Sequence, residues 1–105
     1  MNCVSYHFLS VIANETRWKI INSLYNKDKY VGEIVKDTNE EQSKISHSLK
    51  VLSECNIVFS KKEGNFRKYS LNKKTIKPLV KLLDEHSKSF CDGKCKYKLE
   101  NVNKK

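Results

Sequence analysis

No stretch of the chain is apolar for anything near the ~20 residues that a membrane-spanning helix needs. Met1 to Leu9 also lacks the basic-then-apolar order of a secretion signal. The protein is therefore expected to remain in the cytoplasm, with its four cysteines, at positions 3, 55, 91 and 95, as reduced thiols rather than a disulfide framework. Only three glycines are present, and none belongs to a phosphate-cradling loop. No nucleophile stands beside a base and no carboxylates pair in a pocket-forming pattern, which argues against an enzyme. Internal repeats and low-complexity segments are missing too.

The 105 residues, 38% of them apolar, suffice for one modest core. A chain this short buries only about two-thirds of the surface its unfolded form exposes. Either every helix gives a face to that core or a partner subunit supplies further burial. Lys and Arg number 21 against 12 Asp and Glu. The excess starts late: residues 1–40 balance at five and five, whereas 41–75 carry eight basic and three acidic groups and 76–105 carry eight and four. A field of one sign over most of a small domain suits a polyanion such as nucleic acid; a solvated lysine-rich surface is the plainer alternative.

Apolar residues recur at helical spacing in four early segments. Val4, Phe8, Val11 and Ile12 mark a first helix, and Asn14 can cap a second that carries Trp18, Ile21, Leu24 and Tyr25. Val31, Ile34 and Val35 mark a third of about two turns. After Asp37-Thr38-Asn39 a fourth buries Ile45, Leu49 and Leu52 and turns Ser43, Lys44, Ser46, His47 and Lys50 outward. Residues 57–62 and 66–71 are β-branched and aromatic, with Glu63-Gly64-Asn65 as hairpin chemistry. A last helix opens near Thr75 and tolerates Pro78 in its first turn. Its Ile76, Leu79, Leu83, His86 and Phe90 form a seam suited to packing along another helix. The expected fold is mostly α with a two-stranded β wing, about five helices, arranged as a winged helix-turn-helix. It divides into a binding and dimerisation domain over 1–90 and a basic, cysteine-containing tail over 91–105.

A helix pair followed by a basic hairpin places the second helix in a DNA major groove and the hairpin along the flanking backbone. Gln42, Ser43, Lys44, Ser46, His47 and Lys50 would then meet base edges or phosphate, with Gln suited to adenine and Lys to guanine. Lys61, Lys62, Asn65, Arg67 and Lys68 would meet phosphate or the minor groove. A winged-helix module that binds RNA or a protein partner without sensing a ligand is the alternative, and a small metal-buffering or thiol-redox protein is a third.

The segments Phe8 to Arg17 and Ser43 to Leu52, with Tyr69-Ser70-Leu71 closing the wing, resemble the ArsR/SmtB repressors over about residues 8–90. The resemblance implies a dimer formed by the first and last helices, a palindromic double-stranded DNA operator, and release by a metal, metalloid or redox signal. Val4, Phe8, Ile76, Leu79, Leu83, His86 and Phe90 are the residues that would form the dimer interface. Where the family has a second recognition-helix histidine this chain has Ser48, and where it has glycines around that helix this chain has Asn39 and Asn56. Asparagine is the non-glycine residue that best tolerates the left-handed conformation, so both turns are expected to survive. The family's leucine ahead of the helix is Glu40 here.

Neither of the family's usual metal sites is carried over. The third-helix thiolate element corresponds to Tyr30 to Ile34, which has no cysteine. The last-helix site corresponds to Lys73, Thr75, His86 and Ser89, of which His86 alone is a ligand type. What remains is Cys91 and Cys95, four apart, with Cys3 or His7 as a third ligand from the dimer. Zinc, a trivalent metalloid and a reversible Cys91-Cys95 disulfide all fit that chemistry; two incidental cysteines in a loose tail are the plainer reading. Cys55 reads as a small buried apolar residue.

Overall fold

The structure, a computed structural model, describes residues 4–91, and it divides after Lys73 into two compact units. In the first unit α1 (Val4–Ile12), α2 (Glu15–Ser23), β1 (Lys29–Tyr30), α3 (Val31–Thr38), α4 (Gln42–Glu54), β2 (Val58–Glu63) and β3 (Phe66–Leu71) follow in order. In the second, α5 (Ile76–His86) runs into a π-helical turn, Ser87–Cys91. The mostly α winged helix-turn-helix expected from periodicity is the architecture observed.

Each boundary has a chemical cause. Asn14 takes an extended conformation and its side-chain oxygen accepts from the Arg17 amide at 3.0 Å, satisfying one of the unpaired donors at the start of α2. The Arg17 guanidinium donates in turn to the Val11 carbonyl in the last turn of α1, which ties the two helices end to end. Glu33 begins α3 by accepting from the Tyr30 amide at 2.9 Å, half of a capping box. Asp37, near the end of α3, ion-pairs with Lys29 and accepts from the Ser23 hydroxyl at 2.8 Å. Those two contacts, Lys29 first, hold its carboxyl below the ordinary range.

The turns around α4 decide the motif. Asn39 ends α3 at φ 57°, ψ 37° with its amide donating to the Val35 carbonyl, so the chain reverses in one left-handed residue. Asn56 repeats the device at φ 58°. Its amide donates to Ser53 at 3.1 Å while the Ile57 amide reaches Leu52 at 2.9 Å, the two-bond pattern of a Schellman cap, and buried Ile57 and Leu52 supply the apolar contact that accompanies it. The chain is delivered from there directly into β2.

Helices α2, α3 and α4 pack on one another around Ile20, Ile21, Leu24, Ile34, Ile45, Leu49 and Leu52, all but sealed from solvent. Val58 and Leu71, paired across the base of the hairpin, join that core. The wing proves to be a three-stranded antiparallel sheet in the order β1-β3-β2, where two strands were expected. Strand β1 is only Lys29–Tyr30, too short to carry a period-2 signature, and exists because Lys29 and Tyr30 pair with Tyr69 and Lys68. Cys55, expected to be buried, is half-buried at the C-terminal cap of α4, beside the exposed Asn56 of the left-handed turn.

Asparagine at φ near 60° is tolerated rather than ideal, which gives a direct test. Asn56→Gly should be neutral or slightly stabilising, whereas Asn56→Ala should cost about 1 kcal/mol, because alanine keeps the Cβ that crowds the left-handed region and loses the short polar side chain that makes asparagine tolerant of it. Urea unfolding of the two variants reads that ordering.

Candidate nucleic-acid interface

Helix α4 divides cleanly. Ile45, Ser48, Leu49 and Leu52 are buried, and Gln42, Ser43, Lys44, Ser46, His47 and Lys50 are all exposed. With one face committed to the core, the polar face cannot rotate away from solvent. The six residues expected to meet base edges or phosphate therefore share one outward surface, opening at the amino-terminal end of the helix.

Glu40, two residues ahead of α4, is only 15% exposed at its side chain. One carboxylate oxygen lies 3.0 Å from the Lys19 ammonium on α2, the other 3.3 Å from the Lys44 ammonium on α4. The hydrogen bond from Lys19, followed by that from Lys44, holds the Glu40 carboxyl below its ordinary range, and the same contact raises Lys19. Neither Glu40 nor Lys19 was singled out as a site residue from the sequence, because the pair joins positions 21 apart in the chain.

The wing residues do not share one face. Strand alternation puts Phe59, Lys61, Glu63, Phe66, Lys68 and Ser70 on one side and Val58, Ser60, Lys62, Arg67, Tyr69 and Leu71 on the other. The register sets Lys61 opposite Lys68 and Lys62 opposite Arg67. Like charges in opposite positions destabilise a strand pair, and a polyanion alongside would relieve that repulsion. Lys61, Lys62, Asn65 and Arg67 are exposed, and Arg67 donates to the Ser60 hydroxyl at 3.1 Å. Lys68 is half-buried, its ammonium 5.3 Å from the Tyr30 ring centre, so it serves a cation–π contact as well as the surface charge. Tyr30 also meets Phe66 edge-on at 6.2 Å and donates its hydroxyl to Glu63 at 2.7 Å. That bond to Glu63 is the main reason the Tyr30 phenol is held above its ordinary range. Tyr30 thus fastens the hairpin to the start of α3, a role that its position in the sequence does not reveal.

Of the residues expected at a dimer interface, Val4 opens α1, Phe8 is half-buried, Leu79 is half-buried, and Leu83, His86 and Phe90 are exposed. Ile76 is a correction: at 1% exposure it has no surface to give a partner. Leu82, absent from the predicted seam, is 61% exposed. The His86 and Phe90 rings lie 5.3 Å apart. Cys91 is half-buried, and His7 is exposed on α1. Cys3 and Cys95 lie outside the described residues. Among the described residues no three His, Cys, Asp or Glu side chains cluster as metal ligands, and no helix is long and apolar enough to cross a membrane.

The family model for bacterial regulatory proteins of the arsR family matches residues 14–60. A putative arsenical resistance operon repressor ArsR of Halobacterium salinarum is 43% identical over 63 residues, 58% of this chain and 49% of that protein, so the chain spans about half the length of that relative. The transcriptional repressor SdpR of Bacillus subtilis is 34% identical over 61 residues, 58% of this chain and 68% of that protein. Among solved structures, Rv0081 of M. tuberculosis superposes with a TM-score of 0.77 at 26% identity, covering 84% of this chain and 89% of that one. The homodimeric winged helix-turn-helix DNA-binding domain Mb0332 of Mycobacterium bovis has a TM-score of 0.78 at 18% identity, with 90% and 88% covered.

The fastening role of Tyr30 can be measured without any ligand. Tyr30→Ala should leave helical amides protected while β2 and β3 amides exchange roughly three- to tenfold faster, because three contacts to the wing are lost together. Unchanged wing protection would show that the hairpin stands by its own ladder.

Proposed function

The chain belongs to the arsR family of bacterial regulatory proteins, and on that premise we propose that it acts in the cytoplasm as a homodimeric repressor on a palindromic double-stranded DNA operator. The observation that carries the reading is α4 itself: a helix turned sharply at both ends by Asn39 and Asn56, anchored by an apolar face, with six polar side chains outward. An α-helix fits the major groove, and side chains near its amino terminus reach base edges while basic groups elsewhere take phosphate. Gln42, Ser43, Lys44, Ser46, His47 and Lys50 are the readers in this proposal. Lys61, Lys62, Asn65, Arg67 and Lys68 supply the backbone contacts. The relatives are transcriptional regulators, and the reading for this chain is likewise a regulator and not an enzyme.

A dimer matches two features taken separately. Helix α1 exposes Tyr6 and Leu9, and α5 with its π-helical turn exposes Leu82, Leu83 and Phe90, large apolar side chains that a second subunit would cover. Two-fold symmetry in the protein calls for a matching symmetry in the operator, with half-sites about one helical turn apart or a multiple of it.

Signal response is assigned to the thiols of Cys91 and Cys95. Of these, Cys91 is a half-buried residue with a free thiol suited to a soft ligand, and a metal ion would need further donors besides it. A ligand there would act on the π-helical turn, which holds Cys91 and Phe90 and continues α5.

Anisotropy titrations against a duplex enriched by the protein from a random pool, and against the same bases shuffled, test the DNA reading. Lys62→Ala and Arg67→Ala should weaken both duplexes alike and each reduce the salt slope by roughly one. Gln42→Ala and Lys50→Ala should cost about 1–3 kcal/mol on the enriched duplex and relax its base preference at one position each. Equal affinity for the two duplexes would overturn the operator reading in favour of a module that uses its charge for RNA or an acidic protein. For the thiols, replacing Cys91 and Cys95 by serine should keep DNA affinity and abolish the change that zinc, arsenite or peroxide produces in the unmodified protein; an identical change in the serine variant would remove both cysteines from the proposal.

A further inference from the structure

The Lys19–Glu40–Lys44 cluster lies at the entrance of the reading helix, its carboxylate largely buried and both ammonium groups left at the surface. With the lysines 40% and 58% exposed, the pairs are screened on the cation side and contribute modestly to folding. What the cluster does change is where two positive charges can go. Lys44 is in the first turn of α4, on the outward face, and its ammonium is drawn back 3.3 Å from Glu40 rather than extended. Lys19 projects from α2 toward the same point and is shared with Glu15 at 3.7 Å. The carboxylate itself precedes the amino terminus of α4, where the helix dipole favours negative charge.

We propose that Glu40 is a specificity-determining positioning residue, which restrains Lys19 and Lys44 from sequence-independent phosphate binding and leaves Lys44 for a base edge that can compete for it. The inference rests on the DNA reading above. Phosphate contacts raise affinity for every sequence alike, whereas base contacts discriminate. A cation free at the mouth of the groove strengthens binding to any duplex; a cation held by a neighbouring carboxylate is surrendered only where the exchange gives a better partner.

The test compares the unmodified protein with Glu40→Gln, an isostere without the charge, on the enriched duplex and its shuffled counterpart across a series of salt concentrations. The variant should bind shuffled DNA about three- to tenfold more tightly near physiological salt, with a slope steeper by roughly one to two, because up to two lysines are released to phosphate. The ratio of enriched to shuffled affinity should fall by a similar factor. Adding Lys44→Met to Glu40→Gln should take back roughly one unit of that slope. Glu40→Ala repeats the measurement with the side chain removed, and thermal melting establishes that each variant is folded. A folded Glu40→Gln with the same slope and the same ratio as the parent overturns the inference while the DNA reading stands. A parent protein that does not prefer its enriched duplex overturns the reading and the inference together.

Discussion

The structure depends on the commitment of one face of α4 to the core. Ile45, Leu49 and Leu52 are sealed against α2 and α3, and burying side chains of that size stabilises by roughly 1.5–3 kcal/mol each. That burial fixes the rotation of the helix about its axis, so Gln42, Ser43, Lys44, Ser46, His47 and Lys50 face outward as a set. The same constraint requires the chain to leave the core sharply at each end. Asn39 and Asn56 do this in left-handed conformations, the first closing α3 and the second passing the chain into the wing. The reading surface is thus a consequence of packing: where the apolar stripe goes, the polar stripe has no other place.

Electrostatics is the second level of organisation. The wing sets lysine opposite lysine and lysine opposite arginine, an arrangement that weakens the free hairpin and suits one lying on a polyanion. Tyr30 offsets part of that weakness by holding Lys68, Phe66 and Glu63 from the neighbouring element. At the other end of the surface, Glu40 gathers two ammonium groups around one carboxylate. The positive charge of the first unit is therefore graded: exposed and mutually repelling at Lys61, Lys62 and Arg67 on the wing, paired with a carboxylate at the entrance of the helix.

Much of this was legible in the chain. The apolar stripes of the first four helices, the Asn14 cap, the hairpin chemistry of Gly64-Asn65 and the tolerance of Asn39 and Asn56 for left-handed turns are local properties, settled by residues within a few positions of one another. Five outward residues of α4, Ser43, Lys44, Ser46, His47 and Lys50, followed from the 3.6-residue period alone. What was not legible is non-local. A two-residue strand has no period, so β1 arises only from pairing with β3. The division of Lys61 and Lys68 from Lys62 and Arg67 needed the register of the hairpin, not its composition. The last-helix seam was drawn through Ile76 because spacing cannot tell a residue buried in its own protomer from one held for a partner, and Leu82 was passed over for the same reason.

The sequence by itself determined which segments are helical, where they stop, and which helix offers a polar face beside a basic hairpin, because capping, turn propensity and amphipathic period act over a few residues. Only the tertiary structure decided that Glu40 stands between Lys19 and Lys44, that Tyr30 fastens the wing, and that the hairpin's cations point in two directions. Those facts depend on which surfaces meet when the apolar faces are buried, and side chains brought within 3–4 Å by packing carry no mark of it in a chain where they lie tens of residues apart.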